Sequence, residues 1–203
     1  MTALPAQPRR LTALEFLAWE REQVDKHDWL DGEAYAMAGG TLRHNALGAA
    51  CVAALTSAFR GGPCRVLSSD QKLAARAGRH FVYADASVVC GARELEPGTT
   101  EVLANPTVIV EVLSASTQSY DRGLKWEGYQ RLPSLRDYVL VSQSSVRVEH
   151  FQRDGDTPTS WTYRELGAGE VLELWNGAEL AVDSLFAGVF ELDGEAAESA
   201  PPR

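Results

Sequence analysis

The stretch PTVIVEVLS, residues 106–114, decides how the rest of the chain is read. Val108-Ile109-Val110-Glu111-Val112-Leu113 is β-branched and almost continuously apolar, the pattern of a central strand covered on both faces. Glu111 interrupts it. Side chains alternate along a strand, so Glu111 shares a face with Ile109 and Leu113, where no solvent is expected. A carboxylate there needs a partner, because even partial desolvation of an unpaired ion costs several kcal/mol.

Two strand-like runs precede it, CRVLSSDQKLAAR (64–76) and HFVYADASVVC (80–90). In the second, alternation puts Tyr83, Asp85 and Ser87 on one face; in the first, Asp70 and Lys72 share a face. Downstream, the polar turn ASTQSYDRG (115–123) leads into a helix ending near Arg131, which Pro133 prevents from continuing, and RDYVLVS (136–142) reads as a further strand. Upstream, Thr12 and Glu15 have capping-box spacing for a helix to about Gln23, and WLDGEAYAMAGG (29–40) offers an Asp-Gly turn and a short strand. Leu42 to Arg60 reads as an Ala-rich helix packed through Ala46, Ala49, Ala50 and Ala53, and Gly61-Gly62-Pro63 stops it. From Ser144 onward, VRVEHFQR, SWTYREL, EVLELW and AELAV alternate between Gly, Asp and Pro turns as a β-meander wing. The expectation is an α/β (α+β) fold in one domain over 1–192, with a core of about 12–143 and a β-rich extension of about 144–192. The Pro-, Ala- and charge-rich ends, 1–10 and 193–203, are expected to fray.

Composition narrows the function. With 19 basic against 28 acidic residues, a net charge of −9, the chain is neither a basic nucleic-acid coat nor a cationic membrane binder. It has no apolar run long enough for a membrane span and no signal-peptide pattern. Cys51, Cys64 and Cys90 lie apart without a CxxC pair, which reads as reduced structural thiols in a cytoplasm. GxxxxGK[ST], GxGxxG, HExxH and GxSxG do not occur, so the usual parts of phosphate-loop, dinucleotide, zincin and serine-hydrolase chemistry are missing.

Asp85 and Glu111, on neighbouring apolar strands, repel each other as well as paying for burial. A hard divalent cation removes both penalties, since Mg²⁺ (or Mn²⁺) accepts carboxylate oxygen and retains waters. The bland alternative pairs each carboxylate with an arginine or a backbone group. Asp70 and Lys72 read either as charged gatekeepers of an edge strand or, for Lys72, as a neighbour of the metal pair. Asp121 and Lys125, spaced i, i+4, read alone as a surface ion pair. His44 opens the Ala-rich helix as a solvated polar residue or as a group acting at a site beside that end. Glu33 reads as an exposed strand residue more readily than as a ligand. The wing offers no chemistry.

Taken together, DGE (31–33), RHN (43–45), SSDQKL (68–73), YADASVVC (83–90), VIVEVLSAST (108–117), DRGLKWEGYQRLPSL (121–135) and DYVLV (137–141) resemble the Uma-type family of bacterial endonuclease-like proteins. That family is placed in the PD-(D/E)XK, or restriction-endonuclease-like, superfamily, and the resemblance covers roughly residues 12–190. It implies a four-stranded mixed sheet flanked by helices, with Asp85 and Glu111 as metal-binding carboxylates and the Val112 main-chain carbonyl as a further ligand. It implies metal-assisted attack of water on a phosphodiester, with a nearby lysine steadying the transition state. Two departures stand out. Ala84 replaces the motif proline, and Leu113 occupies the position of the ExK lysine. The resemblance relocates that lysine to Lys125, with Lys72 second, and adds Glu33, His44 and Asp70 as supporting residues.

The reading is therefore a cytoplasmic, metal-dependent endonuclease acting on DNA and self-associating, as a dimer for example. Arg43, Arg60, Arg65, Arg76, Arg79 and Arg122 would supply a local basic rim. Its rivals are a nuclease-fold binding or regulatory module without turnover, and a structural partner protein working through its β-wing.

Overall fold

A computed structural model describes residues 10–37, 39–155, 157 and 159–193. Apart from Arg10 and Asp193, the ends expected to fray lie outside the described residues. The elements run α1 (Ala13–Glu20), β1 (His27–Leu30), β2 (Glu33–Ala36), α2 (Leu42–Ala58), β3 (Cys64–Ser68), β4 (Lys72–Arg76), β5 (His80–Tyr83), β6 (Ala86–Cys90), β7 (Val102–Leu103) and β8 (Val108–Leu113). One helical stretch follows: α3 (Gln118–Tyr120), a π-helical turn (Asp121–Lys125) and α4 (Trp126–Tyr129). The chain continues as β9 (Asp137–Ser142), β10 (Val148–Arg153), β11 (Trp161–Leu166), β12 (Val171–Glu173), β13 (Glu179–Ala181), α5 (Val182–Phe186) and a 3₁₀ turn (Phe190–Asp193).

Each of the two long strands expected over 64–76 and 80–90 is broken in two. β3 and β6 belong to a six-stranded sheet of order β11-β10-β9-β8-β6-β3, whereas β4 and β5 belong to a five-stranded sheet of order β2-β1-β5-β4-β7. The chain crosses between sheets at Ser69–Gln71 and again at Ala84-Asp85. Asp85 therefore stands at a crossover, and Asp70 does not share a strand face with Lys72.

β8 is the parallel neighbour of β9 and the antiparallel neighbour of β6, and all six of its residues are buried. Its even-numbered valines pack with Leu47, Cys51 and Leu55 of α2. Ile109 and Leu113 pack with Leu73, Val82, Tyr129 and Leu140 on the opposite side, where the second sheet and α4 close the layer. The buried stripe of α2 is thus Leu47-Cys51-Leu55, not the expected alanines; Ala49 and Ala53 are exposed.

α1 carries the expected capping box on Thr12 and Glu15 but ends three residues short of Gln23, at Glu20. The Asp31-Gly32 turn has positive φ at both residues (47° and 103°), the conformation that suits a two-residue hairpin loop. The expected four-stranded sheet has six strands because β10 and β11, read from sequence as a wing, pair onto β9 and extend it. Among the described residues of the wing, β12 and β13 form a separate hairpin.

Cys64 and Cys90 face each other directly in the β3–β6 ladder, Cα atoms 4.0 Å apart, and form a disulfide. This corrects the expectation of three reduced thiols, and the thiol argument for a cytoplasmic setting falls with it; only Cys51 is free. Among the described residues no helix is long and apolar enough to cross a membrane.

Candidate active site

The break at Ala84-Asp85 brings Asp85 beside the middle of β8. Register places Ala86 opposite Val110, so the residue just before β6 reaches Val112, whose backbone N–H donates to Asp85 Oδ2 at 2.7 Å. Glu111, 3% exposed, lies on the β8 face that it shares with Ile109 and Leu113 and lines the same cleft as Asp85. Its Oε1 accepts from Lys125 Nζ and from the Tyr129 hydroxyl, each at 3.0 Å. Lys125 Nζ also donates to the Tyr83 carbonyl at 3.1 Å and lies 3.3 Å from Asp121 Oδ1.

Asp121, Lys125 and Tyr129 are four residues apart and turn inward together from one helical stretch. The π turn holds Asp121 and Lys125, and such turns recur at functional sites. On its outer side the stretch is anchored by Trp126, stacked on Tyr138 at 5.4 Å and edge-on to Trp161 at 4.9 Å. Gly128 lets it approach β4, since a Cβ there would lie 2.9 Å from the Ala75 carbonyl oxygen. So the pair Asp121/Lys125 is buried, not on the surface as its spacing alone suggested.

Asp85, Glu111, Asp121 and Lys125 line a cleft of about 390 Å³ together with Asp28 of β1, Tyr120 and His44, with exposed Tyr35 and Met37 in its wall. His44 Nε2 is 3.6 Å from Asp85 Oδ2. The Thr41 hydroxyl, which caps α2 by accepting the His44 N–H, fixes the start of that helix at the cleft. A wider, open hollow of about 710 Å³ adjoins it along α2, sharing His44, Gly40, Ser69 and Asp85.

Charge is unbalanced here. Asp28, Asp85, Glu111 and Asp121 face one ammonium, Lys125, and one imidazole. Burial pushes the carboxyls of Asp28 and Asp85 up and that of Glu111 well above the usual carboxylate range; Asp121 raises all three further and Lys125 opposes. For Lys125, burial pulls the ammonium down, but Glu111, Asp28 and Asp121 outweigh it and hold it well above the ordinary lysine value.

The carboxylate and main-chain oxygens at this cleft are donors of the kind a hard divalent cation accepts. Among the described residues no three His, Cys, Asp or Glu side chains are grouped to cage an ion alone. Mg²⁺ does not need such a cage, since it keeps several waters and takes one or two carboxylates together with substrate oxygens.

The other sequence-derived candidates stand elsewhere. Lys72, on β4, is buried in an ion pair with Glu20, whose Oε1 also accepts from the Tyr83 hydroxyl at 3.1 Å. It does not line the cleft. Glu33 is half-exposed and held by Arg10 and the Tyr35 hydroxyl, and Asp70 is exposed and paired with Lys26. Among the described residues no arginine lines the cleft: Arg79 binds Asp31 and Arg122 binds Glu149. Sequence reading missed Asp28, Tyr120 and Tyr129. Tyr129 was legible, being i+8 from Asp121 and i+4 from Lys125 within DRGLKWEGY; nothing in HDWL marks Asp28 as a cleft residue.

A mixed sheet flanked by helices, extended by an antiparallel meander and paired with a second smaller sheet, is a fold of the restriction-endonuclease-like α+β class. The Uma2 family, described as "Putative restriction endonuclease", matches residues 13–183, and the chain belongs to that family. Two proteins of Synechocystis sp. PCC 6803 described as uncharacterized are similar to it. One, slr1290, is 36% identical over 89% of this chain and 93% of its own; the other, sll1609, is 30% identical over 83% and 94%. A crystal structure from Anabaena variabilis, described as "a putative nuclease belonging to DUF820", superimposes with a TM-score of 0.70 over 88% of this chain and 99% of that one. At 16% identity that likeness speaks for the fold.

Proposed function

We propose that this protein is a metal-dependent endonuclease that hydrolyses phosphodiester bonds in DNA. The observation that carries the reading is the charge imbalance of the cleft: four carboxylates against one lysine, buried at the meeting of two sheets. Membership of a family described as "Putative restriction endonuclease" supports it, as does the fold shared with a protein described as "a putative nuclease".

In this reading Asp85, Glu111 and the Val112 carbonyl hold Mg²⁺ or Mn²⁺. Bound there, the cation supplies a Lewis acid for the phosphate and a water of lowered pKa. Lys125, on Glu111 and stripped of solvent, presents a fixed positive charge for phosphate oxygens as negative charge builds on them, where a preorganised donor acts most strongly. It stands in for the lysine that Leu113 displaces from the ExK position. His44, beside Asp85, completes the wall.

With no arginine among the described residues of the cleft and an overall charge of −9, phosphate contacts from the protein supply little non-specific affinity. Substrate binding then depends on the cation. Self-association, as a homodimer for example, belongs to the same proposal and is read by light scattering.

The test is plasmid nicking in Mg²⁺ or Mn²⁺ by the wild type, Asp85→Ala and Glu111→Ala. Nicking confined to the wild type supports the proposal. Equal nicking by all three points to another site, and none from the wild type, with nucleic acid still bound, points to a binding module without turnover.

A further inference from the structure

We propose that Asp28 is a positioning residue of this site: by holding the Tyr83 peptide it fixes the crossover that delivers Asp85 and the carbonyl that receives Lys125. The inference rests on the metal-dependent reading above and concerns how the chain keeps that geometry.

Pairing of β1 with β5 stops at Trp29 opposite Phe81. Beyond that point the Asp28 carboxylate replaces a backbone acceptor, taking the Tyr83 N–H on Oδ1 at 3.0 Å. The carbonyl of the same residue accepts from Lys125 Nζ at 3.1 Å. Asp85 follows two residues later and is tied to Val112 at 2.7 Å. Tyr83 is thus held from both sides where the chain passes directly from β5 in the second sheet to β6 in the first.

A second arm leads from Asp28 to the helical stretch. Tyr120 lines the cleft with Asp28 and is close enough to act on the ionisation of its carboxyl, and the Tyr120 hydroxyl lies 2.7 Å from His80 Nε2. Burial lowers His80 to about 4, so its ring is neutral near pH 7 and its Nε2–H can donate to Tyr120, which leaves the Tyr120 O–H available to turn toward Asp28. Tyr120 immediately precedes the π turn that carries Asp121 and Lys125. One carboxylate, 5% exposed, therefore ties β1 to the end of β5, whose Tyr83 peptide in turn takes Lys125 of the helical stretch.

The experiment compares Asp28→Ala, Asp28→Asn and Tyr120→Phe with the wild type by hydrogen exchange of the Tyr83 amide and by calorimetric titration of Mn²⁺. Asparagine keeps an acceptor for the Tyr83 N–H; alanine does not. In the alanine variant the Tyr83 amide should exchange about tenfold faster, as a locally opened segment does. Its Mn²⁺ affinity should fall about tenfold, the usual cost of losing an outer partner. Asp28→Asn should restore both to within about threefold of wild type. Wild-type exchange in the alanine variant, or an asparagine variant as impaired as alanine, overturns the proposal. Should the alanine variant not fold, Tyr120→Phe decides: a loosened Tyr83 amide supports the bracket, and wild-type protection overturns it. A wild type that takes up no Mn²⁺ defeats the metal reading instead, and the exchange comparison still judges Asp28.

Discussion

Lys72 and Lys125 are both buried, and both lie against Tyr83, yet their surroundings differ. Lys72 meets one carboxylate, Glu20, whose other bonds go to the Tyr83 hydroxyl and the His27 N–H. That charge account closes, and the lysine is 6% exposed with no part in the cleft. Lys125 meets Glu111 and Asp121 directly, with Asp28 and Asp85 further round the same cleft. Negative charge is left over there, and the space beside it is open. A buried lysine by itself is thus no mark of function; the surplus of carboxylates around it is.

The comparison breaks first on activity. Asp85→Ala and Glu111→Ala should each lower the metal-dependent nicking rate by at least about a thousandfold, because on the proposed reading each removes a holder of the cation. Lys125→Met should cost about a hundredfold, the scale of losing one charge-stabilising donor. Lys72→Met should leave the rate per folded molecule within about twofold, whereas its stability, read by urea unfolding, should fall by about 3–5 kcal/mol because Glu20 is left buried and unpaired. A Lys72 variant that folds normally but does not cut would erase the distinction.

The disulfide supplies a control outside both regions. It joins residues 26 apart, so Cys64→Ser should cost about 3 kcal/mol by loop-entropy reasoning while Mn²⁺ affinity stays unchanged. The smallest effect has the opposite sign. Glu111→Gln removes a charge from the crowded cleft and should stabilise the metal-free protein by about 1 kcal/mol, a gain in stability at the expense of function. The folded-state carboxyl of Glu111 is raised, so its ionisation costs stability above that raised value. That cost is relieved as pH falls through it and is gone below the ordinary carboxylate range. The advantage of Glu111→Gln over wild type should accordingly be largest at pH 8 and shrink on acidification, as followed by thermal melts.

Much of this was visible in the residues. Glu111 announced itself because five apolar neighbours left its carboxylate no solvent, and a two-residue period is enough to say which way it faces. Asp85 was found for a partly mistaken reason. FVYADASVVC keeps its alternation through the break at Ala84-Asp85, so the period shows one strand where the chain makes two in different sheets. The same blindness joined Asp70 to Lys72.

Lys125 was legible only through the DRGLKWEGY resemblance. Its i, i+4 spacing from Asp121 is equally that of a solvated pair, and burial depends on where the helix docks. The Cys64–Cys90 pairing depends on the β3–β6 register, and the wing's place depends on β9 having a free edge. Neither is a local property. Asp28 contributes through one side-chain bond to a distant peptide, which no periodicity records.

Calorimetric titration of Mn²⁺ into the purified chain bears most directly on the charge surplus. The expected result is saturable uptake by wild type, with protons released as the raised carboxyls of Asp85 and Glu111 give them up, tighter at pH 8 than at pH 6 and lost in Asp85→Ala and Glu111→Ala. Absence of uptake by the folded wild type, or undiminished uptake by both variants, would contradict it.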